Sequence, residues 1–195
     1  MRQVGLYFGS FNPVHIGHLA IANHILQHSH LDEIVFVLSP QNPFKKQSNL
    51  LDEYQRLHLL NLAIDDNPGF SASDVEFKMP KPSYTGATLA YLEEQYPTKK
   101  FSLIMGEDNL KGLHKWKNVE YWIKGRDVFV YPRLGSDVMA VSPSIENIIH
   151  LHKMEAPVFE ISASYIRKSI QKGILPRYIV PQKALDYIDE MGFYK

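Results

Sequence analysis

Residues 3–38 read QVGLYFGSFNPVHIGHLAIANHILQHSHLDEIVFVL, and this stretch decides the fold. Its two continuous apolar runs, at 3–8 and 34–38, each stop at small or turn-forming residues, a pattern typical of strands that are buried on both faces. Between them, apolar residues recur at helical spacing over 19–27. Strand, loop, helix and strand in this order predict a βαβ unit with two parallel strands.

The alternation of strand and helix patterns continues to the C-terminus. Further strands are predicted at 70–77, 101–105, 127–131 and 157–161, and further helices at 52–66, 85–95, 164–171 and 181–191. These patterns indicate an α/β fold with a mostly parallel sheet flanked by helices. No internal repeat or linker interrupts them, so we expect a single domain over 1–195 that binds its ligand at the carboxyl ends of the strands.

The composition excludes several classes of function. Twenty-one Lys and Arg residues balance 21 Asp and Glu residues, so nonspecific binding to nucleic acid or to a membrane surface is disfavoured. The absence of cysteine excludes disulfides, thiolate zinc sites, iron–sulfur clusters and a cysteine nucleophile. No apolar run approaches the roughly 20 residues of a membrane span, and the N-terminus lacks the pattern of a signal peptide. We therefore expect a cytoplasmic protein.

The loop between the first strand and the first helix has the features of a phosphate site. Gly9 lets the backbone approach a ligand closely, and the start of the next helix offers N–H groups and a partial positive charge to an anion. His15 and His18 are three residues apart and can both face that position, each with an N–H to donate. The alternatives are two histidines that only cap the helix, or a pair that shares a metal ion. We favour the anion because no third metal ligand stands at a recognisable spacing.

Two segments far apart in the chain carry a family resemblance. The first, at 9–18, reads Gly-Ser-Phe-Asn-Pro-Val-His-Ile-Gly-His. It resembles the signature of the nucleotidyltransferase superfamily, which includes class I aminoacyl-tRNA synthetases, and is most similar to that of bacterial nicotinate-mononucleotide adenylyltransferases. The second, at 161–167, reads Ile-Ser-Ala-Ser-Tyr-Ile-Arg and resembles the second phosphate motif of that family, Ser-x-Ser-x-Ile-Arg. A Ser-capped helix with one Arg is commonplace, so the pairing of the two motifs matters more than either alone.

The resemblance implies a Rossmann-like nucleotidyltransferase fold with an ATP site that spans both motifs. The implied ATP-binding residues are Gly9, Ser10, Phe11, His15, His18, Ile161, Ser162, Ser164 and Arg167. Among these, His15, His18 and Arg167 are the expected catalytic residues, because they would contact the phosphates and the charge that develops during transfer. No metal ligand from the protein is implied, and Mg²⁺ would bind through the phosphates of ATP.

A third group of residues resembles the acceptor site of the family. The segment 83–89 is similar to Ser-Tyr-Thr-x-x-Thr-Leu, where the backbone at a helix start recognises the pyridine carboxylate. The segment 106–116 is similar to Gly-x-Asp…Trp, which implies Asp108 near ribose hydroxyls and Trp116 stacked on the pyridine ring. The implied substrate-binding residues are Lys45, Tyr84, Thr85, Gly106, Asp108 and Trp116. A capped helix and a packing tryptophan are the structural alternatives for the two segments.

The chain departs from the family pattern in two loops. Many members carry Pro-Pro-His-Lys after the second strand, whereas this chain has Asn-Pro-Phe-Lys-Lys at 42–46, so the lysine is kept as Lys45 and the histidine is missing. Lys45 can neutralise a phosphate or stand as a solvated loop residue. The Arg-Pro-Gly of the family after a late strand is Pro-Arg-Leu-Gly here, at 132–135, which makes Arg133 a weak candidate.

Together with the resemblance, these residues predict transfer of AMP from ATP to nicotinate mononucleotide, with nicotinate adenine dinucleotide and pyrophosphate as products. Nicotinamide mononucleotide or another phosphorylated acceptor, such as phosphopantetheine, stays open because the two phosphate motifs read only the nucleotide. A nucleotide-binding regulator without turnover is the alternative from another class. We expect no nucleic-acid or membrane partner, and the sequence leaves a homo-oligomer open.

Overall fold

A computed structural model describes residues 1–40, 50–134 and 142–195 of the chain. Its strands are β1 (Arg2–Gly9), β2 (Glu33–Leu38), β3 (Phe70–Ser73), β4 (Lys99–Gly106), β5 (Asp127–Tyr131) and β6 (His150–Lys153). Its α-helices are α1 (Ile16–Gln27), α2 (Glu53–Ile64), α3 (Thr85–Gln95), α4 (Glu107–Gly112), α5 (Val119–Ile123), α6 (Pro143–Glu146), α7 (Ala163–Gln171) and α8 (Gln182–Glu190). The strands form one sheet in the order β3-β2-β1-β4-β5-β6, and every neighbouring pair is parallel.

Helices cover both faces of the sheet, as the continuous apolar runs require. Helices α1, α2, α7 and α8 bury their apolar side chains in one core, and α3 to α6 bury theirs in a second core on the opposite face. Successive residues of a central strand point into different cores. Along β1, for example, Leu6 belongs to the second core and Tyr7 to the first.

The strand order creates a crevice between β1 and β4. From β1 the chain crosses through α1 to β2 on one side, whereas β4 joins β1 on the other side. Parallel sheets bind ligands at the carboxyl ends of the strands beside such a reversal of direction. Because β1 ends at Gly9 and β4 ends at Gly106, the loops that follow these two glycines meet at this edge. The predicted α/β fold with a parallel sheet is confirmed.

The predicted strand at 157–161 is wrong. The residues there form no regular structure, and the sixth described strand is β6, whose residues His-Leu-His-Lys make no apolar run. This strand lies at the edge of the sheet beside β5, where its polar side chains are satisfied by that neighbour. His152 Nε2 lies 2.8 Å from Asp127 Oδ1, and its ring stacks on Phe129 at 4.6 Å between centroids. No local pattern reveals such contacts.

Two further differences concern short elements. The predicted strand over 70–77 ends at Ser73, and a 3₁₀ turn occupies Val75–Lys78. Helices α4, α5 and α6 are too short for an amphipathic pattern and were not predicted.

The predicted N-cap of α2 is confirmed, since Asp52 Oδ1 accepts hydrogen bonds from the N–H groups of Tyr54 and Gln55 at 2.9 and 3.3 Å. Within the three described ranges, no helix combines the length and apolar character needed to cross a bilayer.

Candidate active site

The loop after β1 has a constrained backbone. Phe11 adopts a φ of 41°, which is uncommon for a bulky residue. Its ring is buried and packs edge-on against Tyr7 and Phe36, with centroids 5.8 and 5.6 Å away. A Cβ at Gly9 would lie 2.7 Å from this ring. Gly9 is therefore required for packing, and the side chain of Phe11 supports the loop from below.

The two histidines of the loop lie against each other at the start of α1. His15 is the N-cap residue, and the rings of His15 and His18 stack with centroids 3.7 Å apart. The backbone N–H of His15 donates to Nδ1 of His18 at 3.3 Å, so the proton of a neutral His18 ring is on Nε2. The capping alternative is therefore correct in part. A shared metal ion is disfavoured because His18 Nδ1 already accepts this hydrogen bond.

His15 is neutral at physiological pH. Its side chain is 6% exposed, and burial, aided by the positive charge of Arg133, lowers its pKa from 6.5 to about 4. Its Nδ1 is buried and makes no hydrogen bond to any residue of the three described ranges. A buried polar atom of this kind is a candidate for a ligand contact. His15 can therefore contribute a neutral N–H or lone pair to a substrate, and not a full charge.

The second motif meets the first loop in space. Ser162 caps α7 by accepting a hydrogen bond from the N–H of Tyr165 at 3.2 Å, as the sequence predicted. Arg167 donates from Nη2 to Ser164 Oγ at 3.2 Å and from Nη1 to the carbonyl oxygen of Asn12 at 2.7 Å. The guanidinium group thus joins the start of α7 to the loop that precedes His15.

A narrow crevice of about 20 Å³ runs beside the histidines. Its walls include His15, His18, Phe159 and Ile161. The last two belong to the segment 157–161, which was expected to form a strand. Arg133 completes the wall. The weak sequence candidate Arg133 thus lies beside His15 and His18, because it follows directly after the carboxyl end of β5.

Arg133 sits in a cluster of polar side chains that the sequence motifs did not indicate. Its guanidinium lies 5.7 Å from the ring centroid of Tyr131, and its Nε is 3.5 Å from Oδ1 of Asp108. Beneath it, the buried hydroxyl of Tyr7 donates to the hydroxyl of Tyr131 at 3.1 Å. Burial and the neighbouring Tyr131 raise the pKa of Tyr7 well above its usual value. Tyr7 is therefore neutral, and Arg133 and Asp108 form the ion pair of this cluster.

A larger cavity of about 480 Å³ opens on the other side of Gly9. Five of the predicted site residues line it, namely Gly9, Ser10, Tyr84, Thr85 and Trp116. Lining residues outside the predicted set include Glu76, Lys117 and Trp122. The volume suits one ring system with its sugar. The structure thus brings the start of α3, the segment after α4 and the β1 loop together around one cavity.

Aromatic side chains form one wall of this cavity. The rings of Trp116 and Trp122 lie 6.3 Å apart between centroids, and Trp122 Nε1 donates to the carbonyl oxygen of Lys117 at 3.0 Å. The ammonium group of Lys117 lies 4.5 Å from the centroid of Tyr84. Gly86 is required here, because a Cβ at this position would collide with the Trp122 ring. Tyr84, Lys117 and Trp122 are thus held together beside the first turn of α3.

The first turn of α3 is braced by a buried carboxylate. Glu76 is 2% exposed and accepts hydrogen bonds from Ser83 Oγ at 2.7 Å and from Thr88 Oγ1 at 2.9 Å. Tyr84 is the N-cap and makes no capping hydrogen bond through its side chain. The first N–H groups of a helix have no partner inside the helix. Thr85 and Gly86 therefore offer backbone donors to an anion at the wall of the cavity.

The remaining predicted residues are placed less closely. Gly106 caps α4, and its Cβ position is occupied by the Asp108 side chain. Asp108 contacts Arg133, which lines the crevice beside His15 and His18. Neither Gly106 nor Asp108 lines the larger cavity. Lys45 lies outside the described residues. Sequence patterns missed Glu76 and Trp122, since only the folded chain brings them to α3, whereas the strand-end position of Arg133 was a usable signal.

A family model described as cytidylyltransferase-like matches residues 6–169. The chain belongs to this family. Its members share the nucleotidyltransferase fold that the sequence motifs predicted, so both the family resemblance and the Rossmann-like architecture are confirmed. The matched range begins inside β1 and ends in the second turn of α7, so it covers both phosphate motifs.

Relatives and solved structures agree with this placement of the cytidylyltransferase-like chain. It is 50% identical over 195 residues to a protein of Flavobacterium psychrophilum, with 99% of each chain covered, and 48% identical over 193 residues to one of Flavobacterium johnsoniae, again with 99% of each covered. Both are named probable nicotinate-nucleotide adenylyltransferases. The nicotinic acid mononucleotide adenylyltransferase of Plasmodium falciparum, solved in complex with NaAD, superposes with a TM-score of 0.80 at 18% identity, covering 100% of this chain and 98% of that one. This last likeness concerns the fold.

Proposed function

We propose that this protein transfers AMP from ATP to nicotinate mononucleotide and releases pyrophosphate, giving nicotinate adenine dinucleotide. The observation that carries the proposal is the contact between the two phosphate motifs. Arg167 donates to the carbonyl oxygen of Asn12 across 155 residues of sequence. The loop with His15 and His18 and the start of α7 therefore form one surface, which we call the phosphate edge. The names of two relatives at 50% and 48% identity support the same reaction.

The reaction needs position and charge more than a reactive side chain. An oxygen of the acceptor 5′-phosphate attacks the α-phosphorus of ATP, and the new P–O bond forms while the bond to pyrophosphate breaks. The attacking oxygen is already an anion at neutral pH, so no general base is required. Because it attacks the α-phosphorus directly, no covalent protein intermediate is required either. The enzyme aligns the two phosphates and stabilises the charge that develops on the leaving oxygen.

The phosphate edge supplies groups for each of these tasks. His15, neutral because its pKa is about 4, and His18, with its proton on Nε2, donate hydrogen bonds to phosphoryl oxygens. Arg167 and the capped start of α7, with Ser162 and Ser164, hold the leaving pyrophosphate. Gly9, Ser10, Phe11 and Ile161 complete the ATP site through the backbone of the loop and the wall of the crevice.

The larger cavity supplies the acceptor site. The backbone N–H groups of Thr85 and Gly86 bind the pyridine carboxylate, and Trp116 stacks on the pyridine ring. Lys117, held over Tyr84, adds a positive charge that favours an acid over an amide. Asp108, with Gly106, contacts the ribose from the side of Arg133, whose Nε lies 3.5 Å from Asp108 Oδ1. Lys45 neutralises a phosphate.

Magnesium enters as part of the substrate, bound to ATP. The described residues contain no group of three or more His, Cys, Asp or Glu side chains placed to hold a metal ion. The phosphate edge consists of hydrogen-bond donors and cations, which suit anions and not a divalent ion. These residues do not fit a resident magnesium site, so phosphate oxygens and water hold the ion.

The proposal is tested by pyrophosphate release with ATP and Mg²⁺. Nicotinate mononucleotide, nicotinamide mononucleotide, phosphopantetheine and FMN are compared side by side at equal concentration. We expect release with nicotinate mononucleotide to be fastest. Preference for another acceptor would keep the phosphate edge and reject the assignment of Thr85 and Trp116. ATP binding without release of pyrophosphate for any acceptor would favour the alternative of a nucleotide-binding regulator without turnover. A cytoplasmic location stays a prediction.

A further inference from the structure

A buried arginine outside both phosphate motifs holds the ends of three segments together. Arg56, in the first turns of α2, is 1% exposed. Its guanidinium group donates to four backbone carbonyl oxygens: Leu51 at 2.7 Å, Ser10 at 2.7 Å, Ser39 at 3.0 Å and Pro40 at 3.1 Å. These carbonyls belong to the loop after β1, to the two residues that follow β2 and to the residue before the cap of α2.

Burial of this guanidinium group is unfavourable for a residue whose only role is packing. Burial of a charged group costs free energy that only hydrogen bonds or opposite charges offset. Burial lowers the pKa of Arg56 below its ordinary value, while Tyr194, Glu53 and Asp52 act in the opposite direction. The hydrogen bonds the structure gives its guanidinium group end on backbone carbonyls, so its direct effect is to set the course of the chain at these positions.

The positions that Arg56 holds are those of the proposed active site. Ser10 and Ser39 line the cavity of about 480 Å³. Ser10 also precedes Phe11, whose φ of 41° is strained, and strained residues persist only where surrounding contacts fix them. The bond from Arg56 Nη1 to the Ser10 carbonyl is such a contact, two residues before Asn12.

A second set of bonds extends this clamp to Arg167. The N–H of Leu51 donates to Asn12 Oδ1 at 3.2 Å, and the hydroxyl of Tyr194 donates to the same oxygen at 2.8 Å. The backbone oxygen of Asn12 accepts the bond from Arg167. Arg56 therefore fixes, through Leu51 and Ser10, the loop that carries one phosphate motif and receives the other.

We propose that Arg56 is a positioning residue for the transfer of AMP: its guanidinium fixes the backbone at Ser10 and Leu51, and thereby the placement of His15, His18 and Arg167 around ATP. This inference rests on the proposed function. Arg56 lies behind the loop and does not touch the substrates. Its removal should therefore affect the rate of transfer more than the binding of either substrate, since a misplacement of about 1 Å is enough to lower a rate by about a hundredfold.

The test replaces Arg56 by lysine, which keeps the charge but cannot reach four carbonyls with one nitrogen. We expect kcat for pyrophosphate release to fall at least about tenfold, with the KM values for ATP and nicotinate mononucleotide within about threefold of wild type. Arg126→Lys is the matched control. Arg126 donates to the carbonyls of Phe101 and Trp122 at 2.6 and 3.1 Å and pairs with Glu93 at 2.8 Å, before β5 and away from the two histidines. Because Trp122 lines the acceptor cavity, this control is read through kcat and not through the KM for the acceptor. This variant should melt earlier but keep its kcat within about twofold.

The outcomes separate the possible explanations. If R56K keeps its kcat within twofold while folded at the assay temperature, or raises KM and leaves kcat unchanged, the positioning role is overturned. Arg56→Gln gives a second measurement, with the same expected loss of kcat. If circular dichroism finds both variants unfolded, Arg56 is a folding residue and the inference is wrong. A wild-type chain that is inactive with every acceptor removes the proposed function first, a result distinct from an active R56K.

Discussion

Replacement of His15 by glutamine tests the buried state of this residue through the pH dependence of stability. In the folded protein, burial and Arg133 lower the pKa of His15 from 6.5 to about 4. As the pH falls through 6.5, the unfolded chain takes up a proton that the folded chain refuses, so the unfolded state gains stability. Stability is thus fully present above pH 6.5 and is lost progressively as the pH falls toward 4.

The size of this loss follows from the interval between the two pKa values. At about 1.4 kcal/mol for each pH unit, the stability that His15 causes the protein to lose between pH 8 and pH 4 is about 3 kcal/mol. Glutamine does not titrate, so His15→Gln does not show this loss. The free energy of unfolding of wild type minus that of the variant should therefore fall by about 3 kcal/mol between pH 8 and pH 4.

Urea unfolding at pH 8, 7, 6, 5 and 4 measures this difference directly. The value at pH 8, where the ring is neutral in both states, gives the part that does not depend on pH, including lost packing against His18. Other titrating groups are common to both proteins and cancel in the subtraction. A difference that stays constant from pH 8 to pH 4 would refute the assignment of His15 as a buried neutral group, and with it the role of a neutral donor to phosphate.

Three further substitutions probe the two halves of the proposed site. His18→Ala should lower kcat by more than about tenfold, since it removes a donor to the transition state; a folded variant with full pyrophosphate release would contradict this. Trp116→Ala should raise the KM for nicotinate mononucleotide far more than that for ATP, and equal increases would argue against stacking. Gly86→Ala should raise the same KM at least about fivefold by pushing Trp122 into the cavity, because overpacking displaces neighbouring side chains; an unchanged KM in steady-state kinetics would place the acceptor elsewhere.

The elements that the sequence predicted well are those whose signal is local. Continuous apolar runs identified β1, β2, β4 and β5, because strands covered by helices on both faces are apolar at every position. The edge strand β6 carries two histidines and a lysine among four residues and has no such signal. Its partner Asp127 satisfies His152 from another strand, so the stability of β6 depends on a contact between residues that are distant in sequence.

The candidate site divides in the same way. The motifs at 9–18 and 161–167 were recognisable from the sequence because binding of phosphate groups requires fixed residue types at fixed spacing. Glu76, Trp122 and Arg56 belong to no such spacing, and Arg133 stands in a loop whose Pro-Arg-Leu-Gly order departs from the Arg-Pro-Gly of the family. They reach the site from a 3₁₀ turn, from two helices and from the end of a strand, and their roles follow from the residues that they contact.

The sequence by itself therefore determined the fold class, the family and the two phosphate motifs, because periodicity and motif spacing are properties of neighbouring residues. Tertiary structure alone decided that His15 is buried and neutral, that Arg167 reaches the backbone of Asn12, and that Arg56 holds the loop between them. Burial and desolvation are set by the whole surrounding shell of the folded chain. A guanidinium group selects its carbonyl partners only after distant segments have packed against each other.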